Sequence, residues 1–290
     1  MTTLTIGSRN EPMSEHTSLK IGGPADLYVR VTSEEDLFGA LAVARHHELP
    51  VFLLGAGTNL LVSDKGIRGV VLHDAWSQAS VDGAVVTAAG GTTFAHVAAI
   101  AARSGIEGLE WMATVPGTVG GAVHGNAGAF GKETADDLVD AVLSDLNGDR
   151  WTQENADFRF AYRTSSLQGT PTVVVSARFR GIPGERARAV ARIKEMANER
   201  TKKQPLAQPN TGSIFRNPPG DFAGRLIDAA GLKGTRVGGA VVSERHANFI
   251  VNTGGATASD VWELMRRCMH EVKERFGVTL VPEVERVGEW

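Results

Sequence analysis

Two glycine-rich segments have the composition of backbone that approaches a ligand closely. The longer one, TVPGTVGGAVHGNAGAFG at 114–131, contains six glycines and no carboxylate, lysine or arginine. Glycine inside a helix or strand costs about 0.5–1 kcal/mol relative to alanine, so a cluster is expected where side chains must be absent. Tight turns are one explanation, although they do not require the interleaved Val115, Val119, Ala122 and Val123. The explanation that accounts for them is a loop whose N–H groups approach a phosphate or a flat ring, anchored by the apolar side chains.

The shorter segment, GAGTN at 55–59, has part of the glycine pattern of dinucleotide-binding folds. That pattern needs a third glycine and a helix that begins on the loop, whereas Leu60, Leu61 and Val62 continue here without a helical period. The segment is therefore either an ordinary hairpin turn or a strand-loop-strand cradle, in which N–H groups and the Thr58 hydroxyl bind a pyrophosphate. Two such loops in one chain suit a long ligand such as FAD, lying between two subdomains.

Three polar side chains could act on a substrate. The guanidinium of Arg163 suits a carboxylate, although a surface salt bridge explains an isolated arginine more simply. Glu283 follows an apolar run and a proline, and carboxylates are seldom buried unpaired, so it is either solvated at a strand end or faces a cation such as Arg163. The third, Ser213, follows a glycine, a position that ordinary turn chemistry explains on the residues alone.

Composition restricts the class of protein. A chain of 290 residues, 42% hydrophobic and 22% charged, buries a sizeable core and divides into two or three units. The net charge of -3 predicts small-molecule partners and no nucleic acid. The single cysteine, Cys268, excludes an internal disulfide and a cysteine-based metal cage, and we predict no metal site. Without a leader pattern or an apolar run of roughly 20 residues, we expect no membrane insertion and a cytoplasmic location.

Local patterns predict the elements that must position these residues. Ser33 begins a helical pattern that closes before Pro50, and a second helix is predicted at 94–104 with Val97, Ile100 and Ala101 facing inward. Apolar runs predict strands at 51–54, 60–62, 70–72, 85–86 and 172–179.

The C-terminal third has its own patterns. GIPGE at 181–185 precedes a charged helical segment, 185–200, and predicts a domain boundary. HANFIVN at 246–252 has strand alternation, which would place His246 and Asn248 on one face. Residues at helical spacing in VWELMRRCMHEV predict a core stripe without a ligand role, formed by Met265, Cys268, Met269 and Val272.

Six motifs occur in the order that is typical of one family. They are LGAGTNLLVSD at 54–64, VPGTVGGAVHGNAGAFG at 115–131, FAYRTSSL at 160–167, TGSIFRNP at 211–218, HANFIVN at 246–252 and VPEVERVG at 281–288. On these motifs, from about Ser18 to Val287, the chain resembles the UDP-N-acetylenolpyruvoylglucosamine reductases, flavoproteins that make UDP-N-acetylmuramic acid for peptidoglycan. The short segment between Tyr162 and Arg200 is similar to the compact, type II subgroup.

The resemblance implies a fold and a set of ligands. The fold is α+β, with a two-subdomain FAD-binding fold of the vanillyl-alcohol-oxidase (PCMH) type and a C-terminal α+β substrate domain that closes over the substrate. The implied boundaries are 1–75, 76–182 and 183–290. The ligands are noncovalent FAD, NADPH as hydride donor, and UDP-N-acetylglucosamine enolpyruvate as substrate.

The resemblance also implies site residues. Arg163 would bind the substrate carboxylate, Ser213 would protonate the enolate carbon, and Glu283 would position the substrate and tune the proton donor. The implied cofactor contacts are Gly55, Ala56, Gly57, Thr58, Asn59, Leu60, Val115, Pro116, Gly117, Thr118, Gly121, Gly128, Ala129, Val174 and Arg200. The candidate substrate contacts are Tyr162, Lys203, His246 and Asn248.

Two other functions stay open on the sequence. An oxidase of the same fold would commonly attach its flavin covalently through a histidine, for which His73 and His124 are candidates by proximity. A nonenzymatic nucleotide-binding protein would have no use for Arg163, Ser213 and Glu283. A flavin spectrum separates the last alternative from the other two.

Overall fold

The computed structural model describes residues 7–290, which form two compact units. The first unit is formed mainly by Tyr28–Ala56 and Gly69–Arg200, and the second by Arg9–Leu27, Gly57–Arg68 and Thr201–Trp290. The chain passes from the first unit to the second within the GAGTN loop, after Ala56. The division into 1–75, 76–182 and 183–290 stays a prediction.

Strands and helices alternate along the described chain. The strands are β1 (Ser8–Pro12), β2 (Pro24–Val31), β3 (Val51–Leu54), β4 (Leu60–Val62), β5 (Ile67–Asp74), β6 (Ala79–Asp82), β7 (Val85–Ala89), β8 (Ile106–Glu107), β9 (Gly128–Ala129), β10 (Lys132–Glu133), β11 (Leu138–Ser144), β12 (Arg150–Glu154), β13 (Val173–Arg180), β14 (Ile182–Pro183), β15 (Arg236–Val237), β16 (Ala240–Val242), β17 (Ile250–Asn252) and β18 (Glu285–Val287). The helices are α1 (Glu34–His46), α2 (Phe94–Arg103), α3 (Val119–Gly125), α4 (Thr134–Asp137), α5 (Arg186–Lys203), α6 (Ala223–Ala229) and α7 (Ala258–Phe276), with 3₁₀ turns at Met13–Glu15, Glu110–Thr114 and Asn155–Phe158. These bounds confirm the strands predicted at 51–54, 60–62, 70–72, 85–86 and 172–179. The helices predicted from Ser33 to before Pro50, at 94–104 and at 185–200 correspond to α1, α2 and α5.

The first unit contains a five-stranded antiparallel sheet of order β12-β11-β13-β7-β6. Its core is aromatic, because the Phe94 ring lies edge-on to Trp111 at 5.6 Å and to Phe179 at 5.5 Å. Strands β3 and β5 also pair in this unit, in parallel, from Val51 opposite Val70 onward. The aromatic core ties α2 to the 3₁₀ turn that immediately precedes the long glycine-rich segment.

Short polar side chains begin several helices. Ser33 accepts the Asp36 N–H at 3.0 Å at the start of α1, and Thr93 accepts the His96 N–H at 3.2 Å at the start of α2. These bonds satisfy amides that have no partner inside the helix. The start at Ser33 was predicted because its capping signal is local and precedes an apolar period. The start near Phe94 was predicted without identifying Thr93 as the cap.

The second unit is built on an antiparallel sheet of order β15-β16-β17, against which α7 packs. Met265, Cys268 and Val272 are at most 2% exposed, with Met269 packed against them, which confirms the predicted core stripe. Burial raises the pKa of the Cys268 thiol to about 12, so it stays protonated and unreactive at neutral pH. None of the helices in residues 7–290 combines the length and the hydrophobicity of a membrane span.

Two predictions of local structure were wrong. Residues 119–125 form a helix rather than a loop, because Thr118 caps its first turn and Asn126, in the left-handed conformation, ends it. His246 and Asn248 lie in a turn before β17 rather than in a strand. The Asn248 N–H bonds to Nδ1 of His246 at 3.3 Å, and such local side-chain bonds compete with strand pairing.

Candidate functional site

Several glycines predicted to contact the cofactor are required by the chain itself. A Cβ at Gly55 would lie 2.6 Å from Thr118 Oγ1, and one at Gly128 would lie 2.5 Å from the carbonyl oxygen of Lys132. Gly57 has a φ of +61° and would place a Cβ 2.1 Å from the carbonyl oxygen of His16. These glycines are explained by internal close approach, whether or not they also contact a ligand.

Gly121 differs from them. It lies in the first turn of α3, exposed, and among the described residues the neighbour that its Cβ would have within 4 Å is Thr118 Oγ1, at 3.7 Å. A glycine in a helix costs about 0.8–1 kcal/mol relative to alanine, and no internal contact accounts for that cost here. The missing side chain leaves room for a phosphate or a flat ring, and this position therefore fits the predicted FAD.

The amides at the start of α3 are engaged within the protein. Val119 donates to the Thr92 carbonyl and Gly120 to the Gly90 carbonyl, both at 2.8 Å, and Gly121 donates to Thr118 Oγ1 at 3.3 Å. These three amides already have partners inside the protein, and the contact of N–H groups of the long glycine-rich segment with a ligand stays a prediction. The part of α3 that a ligand can approach closely is the exposed Cα of Gly121, which has no side chain.

The remaining cofactor candidates lie at the ends of elements. In the first unit, Val115 and Pro116 follow the 3₁₀ turn, Gly117 has a φ of +133°, Ala129 ends β9, and the buried Val174 lies in β13 behind Gly120. In the second unit, Thr58 is half-buried, Asn59 is exposed and Leu60 begins β4. Their contacts with FAD stay predictions.

Arg200, the last residue of the first unit, is half-buried near the end of α5. Burial lowers the pKa of its guanidinium, because removing water disfavours the charged form. Its predicted contact with the flavin likewise stays a prediction.

Arg163 occupies a tight turn of the first unit. Ala161 and Thr164 exchange backbone hydrogen bonds of 3.1 and 2.9 Å, so Tyr162 and Arg163 form the tip. The φ of Arg163 is +57°, a left-handed conformation that costs about 1–2 kcal/mol for a residue with a Cβ. Non-glycine residues in such conformations cluster at functional sites, where the surrounding structure enforces them.

The guanidinium of Arg163 is held by main-chain carbonyls. Nη1 donates to Asn126 O at 3.4 Å and Nη2 to Gly128 O at 2.9 Å, and Cζ lies 5.0 Å from the centre of the Tyr162 ring. Guanidinium has five N–H donors in one plane, so bonds to two carbonyls are compatible with additional bonds to a carboxylate. Tyr162 is 46% exposed beside it.

The second unit joins the Ser213 and Glu283 segments by backbone pairing. The Glu283 N–H donates to Ile214 O at 2.8 Å, the Arg216 N–H donates to Val281 O at 2.9 Å, and Phe215 forms a β-bridge with Pro282. Residues 213 and 283 are both half-buried. This pairing, which we call the proton-donor ladder, places the proposed proton donor and the carboxylate on adjacent backbone.

Two asparagine side chains clamp this ladder. Asn248, 3% exposed, accepts the Phe215 N–H at 3.0 Å and donates to Phe215 O at 2.8 Å. Asn59 donates through Nδ2 to Glu283 O at 3.1 Å, and the main-chain carbonyl of Asn59 accepts the Glu285 N–H at 2.9 Å. Both were predicted as ligand contacts. The structure gives them backbone partners, and their contacts with ligands stay predictions.

The other substrate candidates, His246 and Lys203, belong to the second unit. The ring of His246 packs edge-on against Phe249, 4.8 Å away, and burial lowers the pKa of His246, with the charge of Lys233 as a smaller cause. Lys203 is the exposed last residue of α5. Neither position adds support to the predicted contact with the substrate, which stays a prediction.

Sequence reasoning missed three residues around these sites. Thr211 Oγ1 and Arg216 Nε, which flank Ser213, are buried without a hydrogen-bond partner among residues 7–290. Buried polar atoms nearly always form a hydrogen bond, so these two atoms are able to form hydrogen bonds that the described residues do not supply. The third is Asn126, which carries the Arg163 turn. Its signal was available, because asparagine before Ala-Gly favours a left-handed helix end.

Comparison with known proteins identifies the family of the chain. The chain matches a family model described as "UDP-N-acetylenolpyruvoylglucosamine reductase, C-terminal domain" over residues 204–287, and one described as "FAD binding domain" over residues 25–147. It is 46% identical to UDP-N-acetylenolpyruvoylglucosamine reductase 2 of Symbiobacterium thermophilum, over 97% of this chain and 92% of that protein. The identity to the UDP-N-acetylenolpyruvoylglucosamine reductase of Moorella thermoacetica is 45%, over 97% and 93%.

A solved structure extends the match to three dimensions. The crystal structure of UDP-N-acetylenolpyruvylglucosamine reductase from Thermus caldophilus is 35% identical, with a TM-score of 0.81 over 95% of this chain and 97% of that chain. The predicted fold class, an α+β FAD-binding fold with a C-terminal α+β domain, is thereby confirmed. The chain belongs to the UDP-N-acetylenolpyruvoylglucosamine reductase family.

Proposed function

We propose that this protein reduces UDP-N-acetylglucosamine enolpyruvate to UDP-N-acetylmuramate, with NADPH as the hydride donor, in the synthesis of peptidoglycan precursors in the cytoplasm. Its partners are small molecules, and we expect neither nucleic acid nor membrane insertion. The observation that carries the proposal is the proton-donor ladder, which sets Ser213 beside Glu283 in a chain of this reductase family. That pair suits a reaction that ends with protonation of carbon.

FAD, when bound, supplies the hydride transfer from NADPH to the methylene carbon of the enolpyruvyl ether. The residues that would hold it noncovalently are the GAGTN loop, the segment 115–118 and the bare face of Gly121. The side chains of the protein orient the substrate, stabilise the negative charge that develops on it and deliver a proton.

Arg163 binds the substrate carboxylate in this proposal. Hydride addition at the methylene carbon leaves enolate character at the neighbouring carbon, and negative charge accumulates on the attached carboxylate. A planar guanidinium can bind both carboxylate oxygens and gains energy as that charge grows. Its two carbonyl partners, on Asn126 and Gly128, keep it in one orientation before the substrate arrives.

Ser213 donates the proton from Oγ to the enolate carbon. A serine hydroxyl is a very weak acid, so it can protonate only a strongly basic centre, and an enolate carbon is one. Hydride and proton together add two hydrogens across the carbon-carbon double bond, which balances the reaction. Glu283, on the paired backbone, positions the substrate and tunes the hydroxyl.

The purified protein provides the test. We expect a yellow protein that releases its flavin on denaturation, and NADPH consumption that depends on added UDP-N-acetylglucosamine enolpyruvate. Flavin that stays on the denatured chain would instead favour the oxidase alternative with covalent attachment. NADPH consumption that is the same with and without the enolpyruvyl sugar would contradict the proposed reaction.

A further inference from the structure

Asn126 is buried in the first unit and uses both ends of its side-chain amide. It is 0% exposed and has the left-handed backbone conformation, with φ of 45° and ψ of 56°. Its Nδ2 donates to Ala161 O at 2.9 Å, and its Oδ1 accepts the Ala135 N–H at 3.0 Å. Because it is fully buried, Asn126 cannot touch a ligand directly.

Asn126 is hydrogen-bonded both to the backbone turn that carries Arg163 and to the Arg163 guanidinium. Ala161 O, which Asn126 Nδ2 contacts, also accepts the Thr164 N–H that closes the Arg163 turn. The backbone carbonyl of Asn126 accepts Nη1 of the guanidinium, and Gly128, two residues on, accepts Nη2. One short segment therefore restrains the base of the turn and the tip of the side chain.

We propose that Asn126 is a positioning residue for Arg163, and that it sets the guanidinium where the substrate carboxylate binds. This inference rests on the proposed function, in which Arg163 binds that carboxylate. Asn126 acts through the turn at 161–164 and through its own carbonyl, and it has no contact with the reacting atoms.

A simpler role for Asn126 is to end α3, because asparagine is one of the few residues that adopt the left-handed conformation readily. That role needs the backbone conformation but not the amide bonds to Ala161 and Ala135. Asn126→Gly separates the two roles, since glycine adopts the same conformation without a side chain. Arg159→Gly is the matched control: Arg159 is also left-handed, with φ of +48°, and is exposed in the same unit.

The experiment is a double-mutant cycle on flavin-loaded enzyme. Asn126→Gly, Arg163→Ala and the double variant are compared for flavin reduction by NADPH, for flavin reoxidation by the enolpyruvyl substrate, and for substrate affinity of the oxidised enzyme by calorimetry. We expect Asn126→Gly to slow reoxidation about 10-fold to 100-fold and to weaken substrate binding, while reduction by NADPH stays within about twofold, because misplacing a binding group costs rates of this order. In the Arg163→Ala background, Asn126→Gly should have no further effect, because it acts only through Arg163.

The outcomes separate this inference from the proposed function. Wild-type reoxidation in Arg163→Ala would remove Arg163 from the proposed mechanism. A strong effect of Arg163→Ala with none of Asn126→Gly, or two effects that simply multiply, would overturn the positioning role and leave Arg163 in place. Asn126→Asp, which keeps the oxygen that accepts Ala135 N–H and loses the donor to Ala161 O, enters the same cycle and decides the question where Asn126→Gly does not fold.

Discussion

At the scale of single residues, the proposed catalytic side chains are restrained in different ways. Arg163 is held in a left-handed turn by main-chain carbonyls, whereas Ser213 and Glu283 are held by backbone pairing clamped by Asn248. The first restraint fixes a guanidinium plane, which bidentate binding of a carboxylate requires. The second fixes the spacing between the backbone segments that carry Ser213 and Glu283, and proton delivery requires a fixed spacing.

Arg163→Lys tests the guanidinium plane. Lysine keeps the charge but presents a point charge rather than a fork, so we expect turnover to fall by about 10²-fold or more with the fold unchanged. Arg159→Lys is the control, since it makes the same chemical change at another left-handed arginine, which is exposed, and should leave turnover unchanged. Steady-state turnover and thermal melting measure the two quantities. Near-normal turnover in Arg163→Lys would return this residue to an ordinary surface ion pair.

Asp74 predicts a pH-dependent stability. Burial raises its pKa from 3.8 to about 6, and its Oδ1 accepts the Trp76 N–H at 3.1 Å. The folded protein thus holds this proton more tightly than the unfolded chain does. As the pH rises from about 4 to about 6, ionisation of Asp74 therefore lowers the free energy of unfolding progressively. The total loss, which is complete above about pH 6, is at most about 3 kcal/mol.

Asp74→Asn keeps the acceptor and removes the titration. The variant should melt at a higher temperature than wild type at pH 7.5 and at nearly the same temperature at pH 4. A melting difference that does not change between these two pH values would show that ionisation of Asp74 is not the cause.

Sequence motifs found the residue types but not their restraints. The positive φ of Arg163 could not be predicted, because arginine has no preference for that conformation and tertiary contacts impose it. The clamps by Asn59 and Asn248 were also missed, because their partners are 224 and 33 residues away along the chain. Such pairs have no local signal.

At the scale of elements, α3 is a helix where the sequence predicted a loop. A helix of seven residues with glycines at 120, 121 and 125 has poor intrinsic propensity, so its composition favours a loop. Packing overrides that preference: a Cβ at Gly120 would lie 3.3 Å from Gly90 O, so the helix approaches this backbone closely. The strands at 51–54, 60–62, 70–72, 85–86 and 172–179 were predicted from short apolar runs, whereas no prediction was made for β2 and β11.

Substitution of Gly121 tests the ligand-facing side of α3. Gly121→Val and Gly125→Val place the same side chain on one helix without a close clash: outside the helix's own backbone, a Cβ at Gly121 would have Thr118 Oγ1 at 3.7 Å, and one at Gly125 would have no described neighbour within 4 Å. We expect both variants to fold with similar melting temperatures without flavin, whereas only Gly121→Val should bind FAD more weakly. A steric clash of about 1–3 kcal/mol corresponds to a loss of about 5-fold to 150-fold in affinity. Equal FAD affinities in the two variants, measured by titration of the flavin-free protein, would show that Gly121 does not face the cofactor.

At the scale of the whole molecule, each unit carries part of the proposed chemistry. The second unit is assembled from three chain segments, and the parallel pairing of β18 with β4 joins Glu285 to Leu60 across most of the chain. Periodicity cannot predict such long-range pairing, because each strand alone has the same pattern in many arrangements. The order of the six motifs predicted the fold class where local patterns could not, since that order belongs to the family as a whole.

The central claim is that Ser213 donates the proton, and the two half-reactions of Ser213→Ala test it most directly. NADPH should bleach the bound flavin at close to the wild-type rate, because that step needs no proton from Ser213, while reoxidation by UDP-N-acetylglucosamine enolpyruvate should fall by about 10²–10⁴-fold or more. Ser213→Cys should retain part of the reoxidation, because a thiol also donates a proton. Ser259→Ala, at an exposed serine of the same unit, should leave both steps unchanged. Reoxidation of Ser213→Ala at the wild-type rate, or loss of flavin reduction by NADPH instead, would contradict the account.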